Sequence, residues 1–598
     1  YPERQRELPF FHPAPRPMRP FIVTDLEAGK LPRWGLLLLC ALYTLPGFPG
    51  RDPWRTLDAA GFGIALTMMR GGAHDWLAPN IAGLPVVDEG PLPFWIDALV
   101  GRLAAPLLGE HGGVQFAVLA TLTLLLVLAW YTTYALARRS GVQPSDPFGA
   151  SASQTDYGRA IADSGLLLLM ATFGLLVRMH ETTAEPAQVA WIAAFLFGCA
   201  RALERPLSGG IIAGAAIAAS LLTHGAGTAL ALLGVLVVLP IACRDWRLVA
   251  RRMLVPAVAA AVAGALPWPL LLAAAGESGQ VHLAQWAAWN VESLSGPSGA
   301  SLSYLARTVP WFYWPAWPVA LWAVYRWRGR WSEPAVALPL LTAGAMALPV
   351  LAAPQGAESW LLPATVPLAM LAAVGMPTLR RGIVSLIDWF AVISFTLFAL
   401  VIWGYWIALM TGYPPRMAFR AGQFSPGFVP QWSATATALG LLAALATLGW
   451  LLLVRWRISR QPRMIWRAMA LSCGGVVLAW LLLMTLWLPV FNDRNTYREV
   501  ALRFVDAFAA AGGKRGECVA SDDLSAAPRA SFYYFAHLRP AARGERCDWL
   551  LLEDTGSLAQ ADAGPMPGWT PVWDGRRRSD RDERFRLYRR AQPGAAPG

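Results

Sequence analysis

Charge is scarce in this sequence: Asp, Glu, Lys and Arg make up 15% of 598 residues, against 56% hydrophobic residues. Soluble domains run at about 25% charged, which excludes a water-soluble globular protein and leaves a membrane protein. Lysine is nearly missing too, occurring as Lys30 and Lys514, so arginine carries the net charge of +12. In an apolar chain such an excess anchors cytoplasmic loops rather than nucleic acid, and no nucleic-acid partner is expected. Repeated halves are absent, and few charges lie within apolar stretches, Asp388 near the start of one being the exception. Both absences weigh against a lipid or polysaccharide transporter. The first 32 residues, Pro-rich and basic (HPAPRPMRP), lack a cleavable signal's shape and are expected to form a cytoplasmic tail.

Apolar stretches fit to cross a bilayer, about 17 to 25 residues each, fall near 33–49, 114–137, 164–177, 187–203, 208–222, 226–243, 253–275, 306–325, 334–353, 360–377, 382–411, 432–454 and 468–490. A further stretch, 92–108, carries Asp97 and Arg102 and reads as an amphipathic helix in the interface. Leaving it out gives thirteen spans and puts every basic cluster on the cytoplasmic side. These are Arg138/Arg139, Arg201/Arg205, RDWRLVARR at 244–252, RWRGR at 326–330, Arg380/Arg381 and RWRISRQPRMIWR at 455–467. The expectation is an α-helical polytopic protein of a bacterial inner membrane with about 13 transmembrane helices over 33–490. A long periplasmic loop would span 50–112, and a periplasmic domain 491–598. The latter reads as a small α/β domain, with YREVALRFVDAFAAAG as an amphipathic helix and ECVAS and CDWLLLED as strands. Cys40, Cys199, Cys243 and Cys473 fall in spans as packing residues, whereas Cys518 and Cys547 lie in the tail, where a disulfide is expected.

The first loop reads GRDPWRTLDAAGFGIALTMMRGGAHDWLAPNIAGLPVVDEGPLPFW. It resembles the first periplasmic loop of the GT-C-class glycosyltransferases of the lipid A aminoarabinose transferase and protein mannosyltransferase superfamily. That loop reads D-E-x-x-Y, then G-D-W-x-x-P-x-x-x-G, then an acid, a Lys and two prolines. Asp52 falls on the first acid, HDWLAPNIAG on the middle signature, and Asp88-Glu89-Gly90-Pro91 on the final block. LLTHG (221–225), TTAEP (182–186), LPWPL (266–270) and SWLLPATVPLAM (359–370) resemble later family segments in the same order. The resemblance implies interfacial helices in the first loop, a periplasmic C-terminal domain, and transfer of a sugar from a polyprenyl-phosphate carrier to a lipid, glycan or protein acceptor. The sequence also departs from the pattern. Glu89 stands where the family has a phosphate-binding Lys, His224 replaces the Lys of L-T-K-G, Trp360 replaces a Tyr, and Pro53 replaces the second acid. These losses keep a third reading open, a catalytically inactive relative that binds a lipid.

The transfer needs a base for the acceptor's proton, positive partners for the leaving phosphate, and an apolar groove for the lipid. Asp52, just past the first span, is the candidate base; the alternative is an N-cap for the helix after DPWRTL. Asp88 and Glu89, with Glu185, could hold a divalent cation such as Mg²⁺ or Mn²⁺ in place of the lost Lys. They could instead recognise a cationic ligand, or form a solvated acidic lip. Glu185 positions substrate or caps the span after it. Candidates for the positive partners are Arg55, Arg178, His180, His224 and Arg307, with His224 also open as a packed interface residue. His74 reads as structural. The tryptophans of 286–317 read as an interfacial belt or as stacking partners for a lipid or sugar.

Overall fold

The computed structural model describes residues 21–29, 31–144, 152–458, 464–541, 545–556 and 566–591. Most of the expected tail 1–32 and part of the basic run 455–467 therefore lie outside the described residues. At about 1.5 Å of rise per residue, crossing a hydrocarbon layer of about 30 Å requires roughly 20 residues. Among the described residues eight helices are long and apolar enough: Leu92–Ala137, Pro206–His224, Arg244–Ala274, Pro334–Ala352, Glu358–Thr378, Arg381–Thr411, Ala434–Arg457 and Arg467–Asn495. A pair bent by 64°, Gln154–Ala171 with Phe173–His180, makes a ninth if taken as one span. The other expected stretches are helical but shorter, broken or less apolar. Arg33–Thr44 (α1) has 12 residues, and 306–325 splits into Gly299–Phe312 and Ala316–Arg326 around Pro315. Length and composition thus support eight or nine crossings where about 13 were expected. Three of these, 244–274, 381–411 and 434–457, bury only 17%, 22% and 11% of their apolar windows inside the protein. Hydrocarbon has to cover the remainder, so the chain is a multi-pass membrane protein.

Close helix packing comes from small side chains, as expected where lipid removes the hydrophobic drive between helices. Helices Glu185–Ala202 and Pro206–His224 meet through glycine: a Cβ on Gly209 would fall 2.3 Å from the Ala202 nitrogen. One on Gly214 would fall 1.9 Å from the Ala257 carbonyl oxygen of helix Arg244–Ala265.

The first loop folds into a compact cap. Leu57–Arg70 (α2) is a mostly buried helix, followed by a two-residue ladder, Asn80–Ile81 against Leu84–Pro85. Leu92–Ala137 (α3) is two helices joined at Gly109, whose φ of 75° breaks the helix. The first, 92–108, turns Leu99, Leu103 and Leu107 outward at helical spacing, and Arg102 ties it to the α2 carbonyls of Met68 and Met69 at 3.0 and 2.9 Å. Beyond the cap come Glu185–Ala202 (α4) and Pro206–His224 (α5).

The C-terminal domain comprises Arg498–Ala510 (α6), Ala526–Phe535 (α7) and strands Cys518–Ala520 (β1), Arg539–Pro540 (β2), Trp549–Thr555 (β3), Trp569–Gly575 (β4) and Glu583–Arg590 (β5). They form a mixed sheet ordered β2-β1-β3-β5-β4, parallel around β1 and antiparallel around β5. Buried Arg529 of α7 donates to the Ala82 carbonyl at 2.9 and 3.1 Å, docking the domain on the cap. Cys518 and Cys547 are joined across 29 residues. Closing a loop of that length stabilises a fold by about 3 to 4 kcal/mol in the chain-entropy account. A Cys518→Ser/Cys547→Ser variant is therefore expected to lower the domain's thermal midpoint by several degrees, read by scanning fluorimetry in detergent. An unchanged midpoint would mean that the bond adds nothing to the folded domain.

Candidate functional site

The acids at the loop end, Asp88 and Glu89, reach the bundle through one glycine. The Gly90 N–H donates to the Thr223 carbonyl at 3.0 Å. A Cβ there would fall 2.1 Å from the Leu222 carbonyl oxygen, so no larger residue lets the loop lie this close to the end of α5. Asp88 is thereby brought within electrostatic range of His224, the last residue of α5, and Glu89 within range of Glu185, in the first turn of α4. Burial, then the neighbouring charges of Glu185 and Asp88, push the half-buried Glu89 carboxyl well above the usual carboxylate range. Trp360 and Trp289 flank the His224 ring at 5.0 and 6.1 Å.

Several buried polar atoms at this junction have no hydrogen-bond partner among the described residues: both ring nitrogens of His224, Glu185 Oε2 and both amide atoms of Gln188. Each such group costs about 1–3 kcal/mol when left unsatisfied, and native proteins tolerate few of them. Glu185 and Gln188 stand three residues apart on α4 and share one face. The arrangement suits a polar ligand. Beside it lies an apolar groove of about 440 Å³ between Ala226–Ala242 and Pro334–Ala352, lined by Leu230, Val235, Leu341 and Leu348 among others. One end of it is Gly227, three residues past His224, where a Cβ would meet Leu294, Pro349 and the same Trp360 ring.

Other expected residues lie elsewhere. Both carboxylate oxygens of Asp52 are held by the Arg498 guanidinium of α6, and its N–H donates to Asn492 Oδ1 at 3.2 Å. Both oxygens are thus engaged, so the geometry does not present Asp52 as a free base. Nor does it cap a helix, since α2 begins only at Leu57. Arg55 pairs with Asp580 of the C-terminal domain at 2.6 Å. Arg178 is engaged by Glu181 and Glu358, each at 3.0 Å. His180 is buried among Tyr43, Phe48 and Trp480, with its ring nitrogens on the Leu176 and Tyr43 carbonyls, so it has become a core residue rather than a ligand contact. His74 lies in the short helix Ala73–Leu77 of the cap, and Arg307 is exposed on Gly299–Phe312. Glu185 makes no side-chain cap for α4. As for a metal, the one group of three or more ligand-type residues within 4.8 Å of one another, among the described residues, is Cys518, Glu545 and Cys547. Its two thiols are used in the disulfide.

Sequence reasoning passed over Asp58, six residues past Asp52. Its side chain is 2% exposed and pairs at 2.7 Å with Arg51, itself 1% exposed. It also accepts the Thr182 and Trp54 amides at 2.6 and 2.9 Å. Burial alone would raise this carboxyl; Arg51 and the two amides outweigh burial and hold it below the ordinary range. The signal available was the pair of opposite charges in RDPWRTLD, read instead for Asp52. Gln188 was also missed as a site residue, and nothing in its local sequence separates it from a packing residue.

The helices, the capped loop and the docked α/β domain define a multi-pass membrane protein. The fold is similar to that of ArnT from Cupriavidus metallidurans. Its structure bound to undecaprenyl phosphate superposes with a TM-score of 0.66 at 15% identity, covering 95% of this chain and 99% of that one. Its apo state gives 0.64 at 15% identity, covering 93% and 98%. No protein-family model matches the sequence, and no curated protein matches it.

Glu181 supplies a pH test of this face. Burial pushes its carboxyl up to about 7 from 4.5; Arg178 opposes the rise and Asp58 adds to it. The folded state therefore holds a proton between about pH 4.5 and 7 that the unfolded chain releases. That contribution to stability is complete below 4.5 and is lost as pH rises through 7, at no more than about 1.4 kcal/mol per pH unit. The wild-type thermal midpoint should fall between pH 5 and 8 by more than that of Glu181→Gln, and parallel profiles would refute the assignment.

Proposed function

We propose that this protein is an integral-membrane glycosyltransferase that moves a sugar from a polyprenyl-phosphate carrier to an acceptor at the periplasmic face of a bacterial inner membrane. One observation carries the reading: Gly227, which lines the apolar groove, lies next to Trp360, the ring that flanks His224. A lipid chain in that groove would place its phosphosugar at the cluster. The shared fold adds support, since ArnT has been seen bound to undecaprenyl phosphate.

In this reading Glu185 accepts the acceptor's proton through its unpartnered oxygen as the acceptor attacks the anomeric carbon. The bond from that carbon to the phosphate oxygen breaks, and the polyprenyl phosphate leaves with the electron pair. Trp360 and Trp289 stack on the sugar. His224 supplies hydrogen bonds and, when protonated, positive charge at the phosphate. Asp88 and Glu89 are the oxygen donors that would hold a divalent cation, Mg²⁺ or Mn²⁺, and such an ion would add charge there. What favours it is the adjacency of Asp88 and Glu89 in the loop end that Gly90 fixes against α5. Asp52 and Arg498 join the cap to the C-terminal domain, with Arg55 and Asp580 beside them.

The test is sugar transfer from polyprenyl-phosphate donors in proteoliposomes. Glu185→Gln is expected to lower the transfer rate by about 10²- to 10⁴-fold with donor binding kept, whereas Asp52→Asn keeps more than a tenth of it. The reverse pattern would return the base role to Asp52. Lipid binding by wild type without any transfer would make the chain an inactive relative, and movement of an unchanged lipid would make it a transporter. The cation reading has its own check: EDTA should abolish transfer, and Mg²⁺ or Mn²⁺ should restore it.

A further inference from the structure

A second cavity, of about 470 Å³, lies at the opposite end of the bundle. Helix Arg467–Asn495 fixes the separation: Arg467 lines this cavity, whereas Asn492, near the other end, holds the Asp52 loop. The helix's 29 residues extend about 43 Å at 1.5 Å per residue, a membrane's thickness. The wall carries three guanidiniums, Arg381, Arg457 and Arg467, against two carboxylates, Asp388 and Glu27, with Ser385 between them. Arg457 pairs with Asp388. Arg467 is buried, lies over the Trp456 ring at 4.3 Å and donates to the Trp456 carbonyl at 2.6 Å, which fixes its position. Glu27 accepts the Thr24 amide of its own turn at 3.1 Å. Exposed Arg381 is the first residue of helix Arg381–Thr411, as Arg467 is of its own, so two helix N-termini add partial positive charge to the same wall.

We propose that this cavity binds a phosphate-bearing anion, most readily the headgroup of an anionic phospholipid. Rigid guanidiniums at a helix start match the geometry of phosphate oxygens. Trp456 and Trp466, the neighbours of Arg457 and Arg467, stack on each other and line an apolar groove of about 660 Å³ with Trp34, Leu442 and Leu453. A headgroup on the arginine wall thus has a place for its chains across the same short segment. The site shares no residue with the proposed transfer site.

Dihexanoyl phosphatidylglycerol, dihexanoyl phosphatidylcholine and inorganic phosphate, added below their micellar range to the detergent-purified full chain, test it through the thermal midpoint and by titration. Phosphatidylglycerol is expected to raise the midpoint by several degrees where phosphatidylcholine does not. Arg381→Gln, on an exposed position, should weaken that binding about tenfold, and Arg457→Gln should do likewise. Arg307→Gln, an exposed arginine elsewhere on the bundle, should leave it unchanged. A response to inorganic phosphate as strong as that to phosphatidylglycerol, and equally sensitive to Arg381→Gln, supports the same site with a free phosphate as its source. Equal responses to both lipids, or loss of binding in Arg307→Gln as large as in Arg381→Gln, would overturn the proposal.

Discussion

Hydrocarbon offers no hydrogen bonds, and that single constraint organises the molecule. Every backbone amide at bilayer depth must find its partner inside its own helix, so irregular backbone is confined to the ends of the bundle. Charge follows the same rule. Asp88, Glu89, Glu185 and His224 gather where two helices end and a loop returns, while the arginine cavity gathers the charges of helix starts at the opposite boundary. Each face has its own sign, acidic beside His224 and basic beside Arg467.

How polar groups are satisfied separates the two sets of acids near the first loop. Asp58 is fully supplied, by Arg51 and two amides, and so behaves as a structural anchor for the start of α2. Glu185 is buried almost as deeply but has an oxygen with no hydrogen-bond partner among the described residues. Burial with partners indicates support, and burial without them indicates readiness for something from outside. By the same measure Arg178, tied between Glu181 and Glu358, links the loop before α4 to the segment that carries Trp360.

Legibility in the sequence followed the range of the interactions. Membrane character, the interfacial 92–108 helix and the α/β nature of the tail rest on composition and periodicity, which are local. Placing Asp88 and Glu89 near Glu185 rested on resemblance and topology, and the loop does close on that region through Gly90. Asp52 finds its partner, Arg498, 446 residues away, and no local pattern encodes a pairing at that distance. The same holds for His180: its carbonyl partners and aromatic shell come from three separate helical segments. Crossing number is hardest to read where proline and glycine shorten or break helices, as between Gly299–Phe312 and Ala316–Arg326.

Asn492 deserves a mechanical reading. One side-chain amide near the end of the last membrane helix accepts from the Asp52 backbone and the Trp54 indole and donates to the Gly50 carbonyl. Six residues later the same chain supplies Arg498, which clasps the Asp52 side chain. The last helix, the entry to the cap and the C-terminal domain are therefore geared together. A rotation of that helix about its axis would turn all three as one body, and the cap has no separate hinge at its entrance.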